Sequence, residues 1–205
     1  LGGEGDDVVR GEAGDDQLNG NAGNDTLQGD DGDDLMSGDE GNDLLFGGTG
    51  EDTMDGGCGD DTMGGGDGRD TMNGGEGDDS INGGEGFDDL FGGNGNDTML
   101  GDDGCDLIEG GYGDDLIFAG SQADLVRGDG GDDVIHGDAG DDQLFGGTGT
   151  DTIYGGEGSD FIMGGDNESG LGENLIVNGT FENHGNLNHG SWGTFSGIEG
   201  WQADA

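Results

Sequence analysis

The stretch Gly74–Leu100 reads GGEGDDSINGGEGFDDLFGGNGNDTML and divides into three phrases of nine residues, GGEGDDSIN, GGEGFDDLF and GGNGNDTML. Each opens on two glycines and carries another at its fourth residue. Each then places Asp at its sixth residue (Asp79, Asp88, Asp97) and an aliphatic residue or Met at its eighth (Ile81, Leu90, Met99). Followed outward, the same frame runs from Gly2 to Met163 with no insertion or deletion, giving eighteen such units. Position six is Asp in every unit: Asp7, Asp16, Asp25, Asp34, Asp43, Asp52, Asp61, Asp70, Asp79, Asp88, Asp97, Asp106, Asp115, Asp124, Asp133, Asp142, Asp151 and Asp160. Position eight is aliphatic or Met throughout, from Val9 and Leu18 to Ile153 and Ile162. Position one is Gly except at Ala119, and position four is Gly except at Gln122. Position two is Gly in eleven units and Asp, Asn or Glu in the other seven.

Composition alone would suit a flexible acidic linker. The 205 residues include 57 Gly and no Pro, and only 27% are hydrophobic. Fifty acidic residues face three basic ones (Arg10, Arg69, Arg127), a formal charge of −47. A linker has no reason to hold one phase all the way from Gly2 to Met163, so the periodicity overrides that reading. The charge disfavours nucleic acid and anionic membranes as partners and favours multivalent cations. No stretch reads as a membrane span or signal peptide. Leu1 opens in mid-pattern, which reads as a piece of a longer protein.

Each position has a physical reading. Recurrent Gly at one and four points to positive φ or very close backbone approach. Asp and Asn at position two fit, because they tolerate the left-handed region better than other non-Gly residues. Positions one to six thus read as a turn. Positions seven to nine read as a three-residue strand whose middle side chain points inward. One unit buries nothing alone. Two units make one flattened coil, and stacked coils form parallel strands. The expected fold is all-β: a parallel β-roll, or β-solenoid, of about nine coils and roughly 40 Å length. Odd units build one wall, even units the other, and position eight fills a thin core.

Stacking sets Asp above Asp along each edge. Carboxylates that close repel unless a counter-charge lies between them. Calcium suits the gap, since it takes six to eight oxygens from carboxylates and backbone carbonyls, whereas magnesium demands tight octahedral geometry. The phrase GGxGxDxUx, with U a large aliphatic residue, resembles the repeats-in-toxin (RTX), or hemolysin-type calcium-binding, repeat. The resemblance covers about four-fifths of the chain. It implies a calcium-filled parallel β-roll with six ligands per ion, drawn from two turns one coil apart. In this chain one such site would take the carbonyls of Gly75 and Gly77 and the carboxylate of Asp79. The carbonyls of Gly92 and Asn94 and the carboxylate of Asp97 would complete it. Each interior Asp would touch two ions, and the eight gaps on each edge would hold up to sixteen Ca²⁺. The resemblance further implies a secreted or cell-surface protein, exported by a type I secretion apparatus and folding on calcium outside the cell.

One unit departs from the pattern. AGSQADLVR (Ala119–Arg127) keeps Asp124 and Val126 but loses two glycines. Gln122 should be strained if position four needs positive φ. The coil is expected to continue there, with weaker or distorted calcium sites beside it. Cys58 falls in an odd unit and Cys105 in an even one, on opposite edges and different coils, so no disulfide is expected.

Positions seven and nine should face outward. Late in the repeat they turn apolar: Leu116, Phe118, Val134 and Tyr154, with His136, on the odd wall; Leu107, Leu125, Phe145, Phe161 and Met163 on the even wall. These are either scattered surface residues or a docking face for a neighbouring domain or another rod.

Three segments emerge: the roll over residues 1–163, a degenerate cap or linker over 164–172, and a β-rich segment over 173–205. The last resembles, in NLIVNGTFE and a downstream GW, the opening strand of a carbohydrate-binding-like β-sandwich. Trp192 and Trp201 could meet a sugar there or pack in a core. His184 and His189 read as part of a solvated loop. No nucleophile elbow, HExxH or phosphate loop occurs, so the segment reads as non-enzymatic. Two uses fit it: a non-catalytic tail of a secreted hydrolase, lyase or toxin, or a building block of a surface layer, adhesin or filament.

Overall fold

A computed structural model describes residues 1–165 and 175–177. Two ten-stranded parallel sheets face each other, and each strand pairs with the strand two along in sequence rather than the next. The offset is one coil, or two units: Ser80 pairs with Thr98, Ile81 with Met99 and Asn82 with Leu100. The chain therefore winds as a parallel β-roll of about nine coils, and no helix occurs among the described residues.

The strands are longer than the sequence suggests. Thr62–Asp67, Thr71–Glu76 and Asp89–Asn94 each run six residues, through positions seven to nine and on into positions one to three of the next unit. The turn thus shrinks to positions four to six. The inward alternation explains why. Position eight is buried, position nine half-buried or exposed, and position one buried again, as in Met63, Gly64 and Gly65. Glycine at position one is an inward-facing strand residue rather than a turn residue, and its φ is not in the left-handed region. Position two does take positive φ, 112° at Gly66 and 111° at Gly75. All seven non-Gly residues at that position share it, from Glu12 (76°) and Asn21 (83°) to Asp138 (61°).

The core is a double file of position-eight side chains. Leu18, Leu27, Met36, Leu45, Met54, Met63, Met72 and their successors to Ile153 are buried, with Val9 and Ile162 partly so at the ends. One apolar side chain per unit is a thin core for two sheets. Most of the remaining cohesion lies in the backbone ladders and the turns.

The strand Leu175–Val177, grouped by sequence with the C-terminal segment, adds to one sheet beside Thr152–Tyr154. On the outer face of that sheet Phe118, His136 and Tyr154 stack, with ring centroids 4.7 and 4.6 Å apart. Trp192, Trp201, His184 and His189 lie outside the described residues. Cys58 and Cys105 are both free and exposed.

Candidate metal centre

The strand register brings every position-six Asp directly over its counterpart one coil away. Its Oδ1 accepts the backbone N–H of the preceding coil's Asp: Asp61 N to Asp79 Oδ1 at 2.8 Å, and Asp79 N to Asp97 Oδ1 at 2.8 Å. The bond recurs in every gap on both edges, from Asp7–Asp25 to Asp142–Asp160, at 2.7 to 3.3 Å. From Asp25 to Asp142 these fourteen side chains are no more than 2% exposed. In each of them Oδ2 is buried with no hydrogen-bond partner. A row of buried, unpartnered carboxylate oxygens on a chain of charge −47 calls for a counter-charge or a proton.

Carbonyls converge on the same gaps. A Cβ added to Gly74 would lie 2.3 Å from Asp79 Oδ2 and 2.7 Å from the Gly92 carbonyl oxygen. Those lengths are forbidden to carbon, so only glycine leaves these oxygens clear at position one. The Gly75 oxygen would lie 2.3 Å from a Cβ on Gly93, and the Gly77 oxygen 1.8 Å from one on Gly95. Both therefore face the next coil. The Asn94 carbonyl faces back and accepts the Gly77 N–H at 2.9 Å. Asp79, Asp97, Gly75, Gly77, Gly92 and Asn94 thus lie on the two turns that face each other across one gap. An all-oxygen set of this kind, mostly carbonyl, would suit calcium. No group of three His, Cys, Asp or Glu side chains suited to a metal occurs among the described residues.

The family model of the RTX calcium-binding nonapeptide repeat, four copies long, matches residues 1–36, 28–63, 37–72, 64–99, 73–108, 100–135, 109–144 and 136–168. This chain belongs to the RTX family. No curated protein matches it. The RTX roll is a calcium-binding repeat module, structural rather than catalytic. Among its described residues no helix is long and apolar enough to cross a membrane.

Electrostatics along the RTX ladder follow from burial. It pushes Asp61, Asp70, Asp106, Asp115, Asp124 and Asp133 up to about 7, and Asp79 and Asp142 up to about 6. The N–H received from the preceding Asp pulls each of them back, and the carboxylates above and below push up again. Without a cation these groups resist ionising at neutral pH.

The departing unit leaves the Asp ladder intact: Asp106 N reaches Asp124 Oδ1 at 2.8 Å, and Asp124 N reaches Asp142 Oδ1 at 3.0 Å. The disturbance lies beside it. Gln122 sits at φ 78°, against 135° at Gly77 and 130° at Gly113. The Gly104 N–H reaches Ser121 O over 3.4 Å, against 2.9 Å for Gly77 to Asn94. Ala119 is fully buried at a position where glycine elsewhere leaves room beside Oδ2. Nearby strands also shorten: Leu116–Phe118, Val134–His136 and Thr152–Tyr154 are three residues long.

One set of residues escaped the sequence reading. On the odd edge, the position-five side chains form a second ladder. Each accepts, through Oδ1, the backbone N–H of position five in the next coil: Asn24 to Asp6, Asn42 to Asn24, Asp60 to Asn42, Asp78 to Asp60, Asn96 to Asp78, Asp114 to Asn96, Asp132 to Asp114 and Thr150 to Asp132, at 2.7 to 3.1 Å. A signal was there to find: position five is Asp or Asn in eight of the nine odd units. On the even edge it is Asp only at Asp15, Asp33 and Asp141.

Proposed function

We propose that this RTX segment is a calcium-triggered structural rod of a secreted or cell-surface protein, folding when it meets extracellular calcium. The observation that carries the reading is the row of buried Oδ2 atoms without partners, stacked at one-coil intervals. Bound calcium supplies the positive charge that these stacked carboxylates lack. The chain's own part is to present the oxygens. The carbonyls of Gly75, Gly77, Gly92 and Asn94, with Asp79 and Asp97, form the type site, repeated over eight gaps per edge for up to sixteen ions. Asp7, Asp16, Asp151 and Asp160 close the ladders at their ends. Site formation needs two stacked coils, so binding and folding are one event. Extracellular modules bind calcium at about 10⁻⁴–10⁻³ M, which would leave the chain unfolded in a cytosol and folded outside. Passage through a type I secretion apparatus is consistent with that order.

The test is a calcium titration of the metal-depleted chain followed by far-ultraviolet circular dichroism, with magnesium as control. The expected result is a β signal that grows cooperatively with calcium and not with magnesium. A full β signal in excess chelator at neutral pH would overturn the reading.

A second use is favoured by one observation. The Phe118–His136–Tyr154 stack lies on the outer sheet face beside half-buried Leu116 and Val134, and suits docking of a neighbouring domain or another rod.

A further inference from the structure

The two edges share the position-six ladder but not the position-five ladder. All eight odd-edge gaps are bridged by a position-five Oδ1 that accepts an N–H from the coil above. On the even edge only three bridges occur among the described residues: Asp33 to Asp15, Glu51 to Asp33 and Ser159 to Asp141. Glu51 opens the unbridged run, its carboxylate on Cδ rather than Cγ, and position five is then Arg69, Phe87, Cys105 and Ala123, none of which carries an acceptor on Cγ. These four residues instead frame a shallow cleft with Leu107 and Leu125.

The bridge acts on the metal gap through the turn. Position five lies between the Gly carbonyl at position four and the Asp at position six. Its Oδ1 takes a bond descending from the coil above, while the position-six N–H donates to the carboxylate of that same coil. The two bonds run in opposite senses across one gap and fix the separation of the turns on each side of it. Where only the position-six bond remains, the turn is free to shift. One such shift occurs in the unbridged stretch, where the Gly104 N–H reaches Ser121 O over 3.4 Å.

We infer that the odd-edge Asp and Asn residues at position five are positioning residues for calcium, and that the roll holds two classes of site. The odd-edge sites are pre-organised and fill first. The five even-edge sites spanning Asp52 to Asp142 are weaker and fill second. This rests on the turns being calcium sites, as proposed above.

The test is calorimetric calcium titration of the whole chain. Wild type should show two classes of site, separated by roughly two- to tenfold in dissociation constant, the worth of one net hydrogen bond. Installing the missing acceptors (Glu51→Asp, Arg69→Asn, Phe87→Asp, Cys105→Asn and Ala123→Asn together) should merge the weak class into the tight one. Removing two on the odd edge (Asp78→Ala with Asn96→Ala) should transfer sites from the tight class to the weak one. Asp78→Asn, which keeps Oδ1, should leave the partition at wild-type values, a result that a pure charge effect would not give. Equal circular dichroism at saturating calcium confirms that each variant folds. A single class in wild type, or a weak class that survives the installed acceptors, overturns the inference while leaving calcium binding standing. A chain that takes up no calcium at all defeats the function proposed above.

Discussion

The odd and even edges of this roll are built from one sequence phrase, yet only one of them is continuous. Both stack their position-six carboxylates in an unbroken column, Asp79 under Asp97 on one side and Asp88 under Asp106 on the other. One residue earlier they part. The odd edge repeats Asp or Asn, and the even edge passes through Arg69, Phe87, Cys105 and Ala123. The difference separates two jobs that the repeat performs together. Position six is Asp in every unit on both sides, as the proposed calcium role asks. Position five supplies only a hydrogen bond, so an edge can lose it and still close its coils.

The largest effect should come from removing a position-six carboxylate. Asp79→Ala and Asp106→Ala each delete an acceptor for one N–H and the Oδ2 of two gaps. Losing a hydrogen bond to a charged group costs about 1.5–3 kcal/mol, so the calcium midpoint should rise by roughly tenfold or more. The rise should be larger for Asp106→Ala, because Cys105 beside it makes no bridge, whereas Asp78 beside Asp79 bridges to Asn96 at 2.8 Å. Calcium titrations of the two variants read this directly. Equal shifts would mean that position five contributes nothing, and the comparison of edges would fall.

Proton competition should come next, and it should be felt on both edges. Burial raises the metal-free pKa to about 7 at Asp61, Asp115 and Asp133 on the odd edge and at Asp70, Asp106 and Asp124 on the even edge. The ordinary unfolded value is 3.8. A raised carboxylate pKa favours the metal-free fold only while the group is protonated. That support is complete below about pH 4 and lost as pH climbs through 7. Metal-depleted protein should thus show more β signal at pH 5 than at pH 8. Calcium must displace these protons, so its midpoint should rise as pH falls below 7, by roughly tenfold per pH unit for each proton released. A midpoint unchanged between pH 8 and 5 would show that the carboxylates are ionised before calcium arrives.

How much of this was legible beforehand follows from what a nine-residue period can encode. Asp at position six and the aliphatic residue at position eight are side-chain demands, so they recur in every unit and can be read directly. Coil length and sheet order follow from the return of like faces at every second unit. Strand length was misjudged because glycine carries two meanings. At position four it answers to φ, as at Gly77 (135°). At position one it answers to space, since a methyl on Gly74 would strike Asp79 Oδ2. Sequence shows the same letter for both and made the turn too long. The position-five ladder was missed because it holds on one edge only. A pattern that returns at every second unit is diluted by half when all units are aligned together, and Phe87 or Arg69 then looks like noise.

The smallest effect tests the place where the even edge departs furthest. Every Gly at position four with a φ in the left-handed half lies between 96° and 157°, beyond the region that L side chains tolerate. Gln122 holds φ 78°, nearer the left-handed helical basin, so the backbone has moved to meet the side chain. The neighbouring coil answers the move: the Gly104 N–H reaches Ser121 O over 3.4 Å. A non-Gly residue in this region costs about 1–2 kcal/mol, part of which returns because glycine loses more freedom on folding. Gln122→Gly should therefore stabilise the calcium-loaded roll by about 1 kcal/mol at most. The gain should appear as a higher urea midpoint with an unchanged slope. It should also tighten the weaker calcium sites slightly, by letting the Ser121 carbonyl approach Gly104. A higher midpoint without tighter sites would place the strain of Gln122 in the fold alone. No gain at all would mean that the even edge has relaxed fully around Gln122, and that its looseness comes from position five by itself.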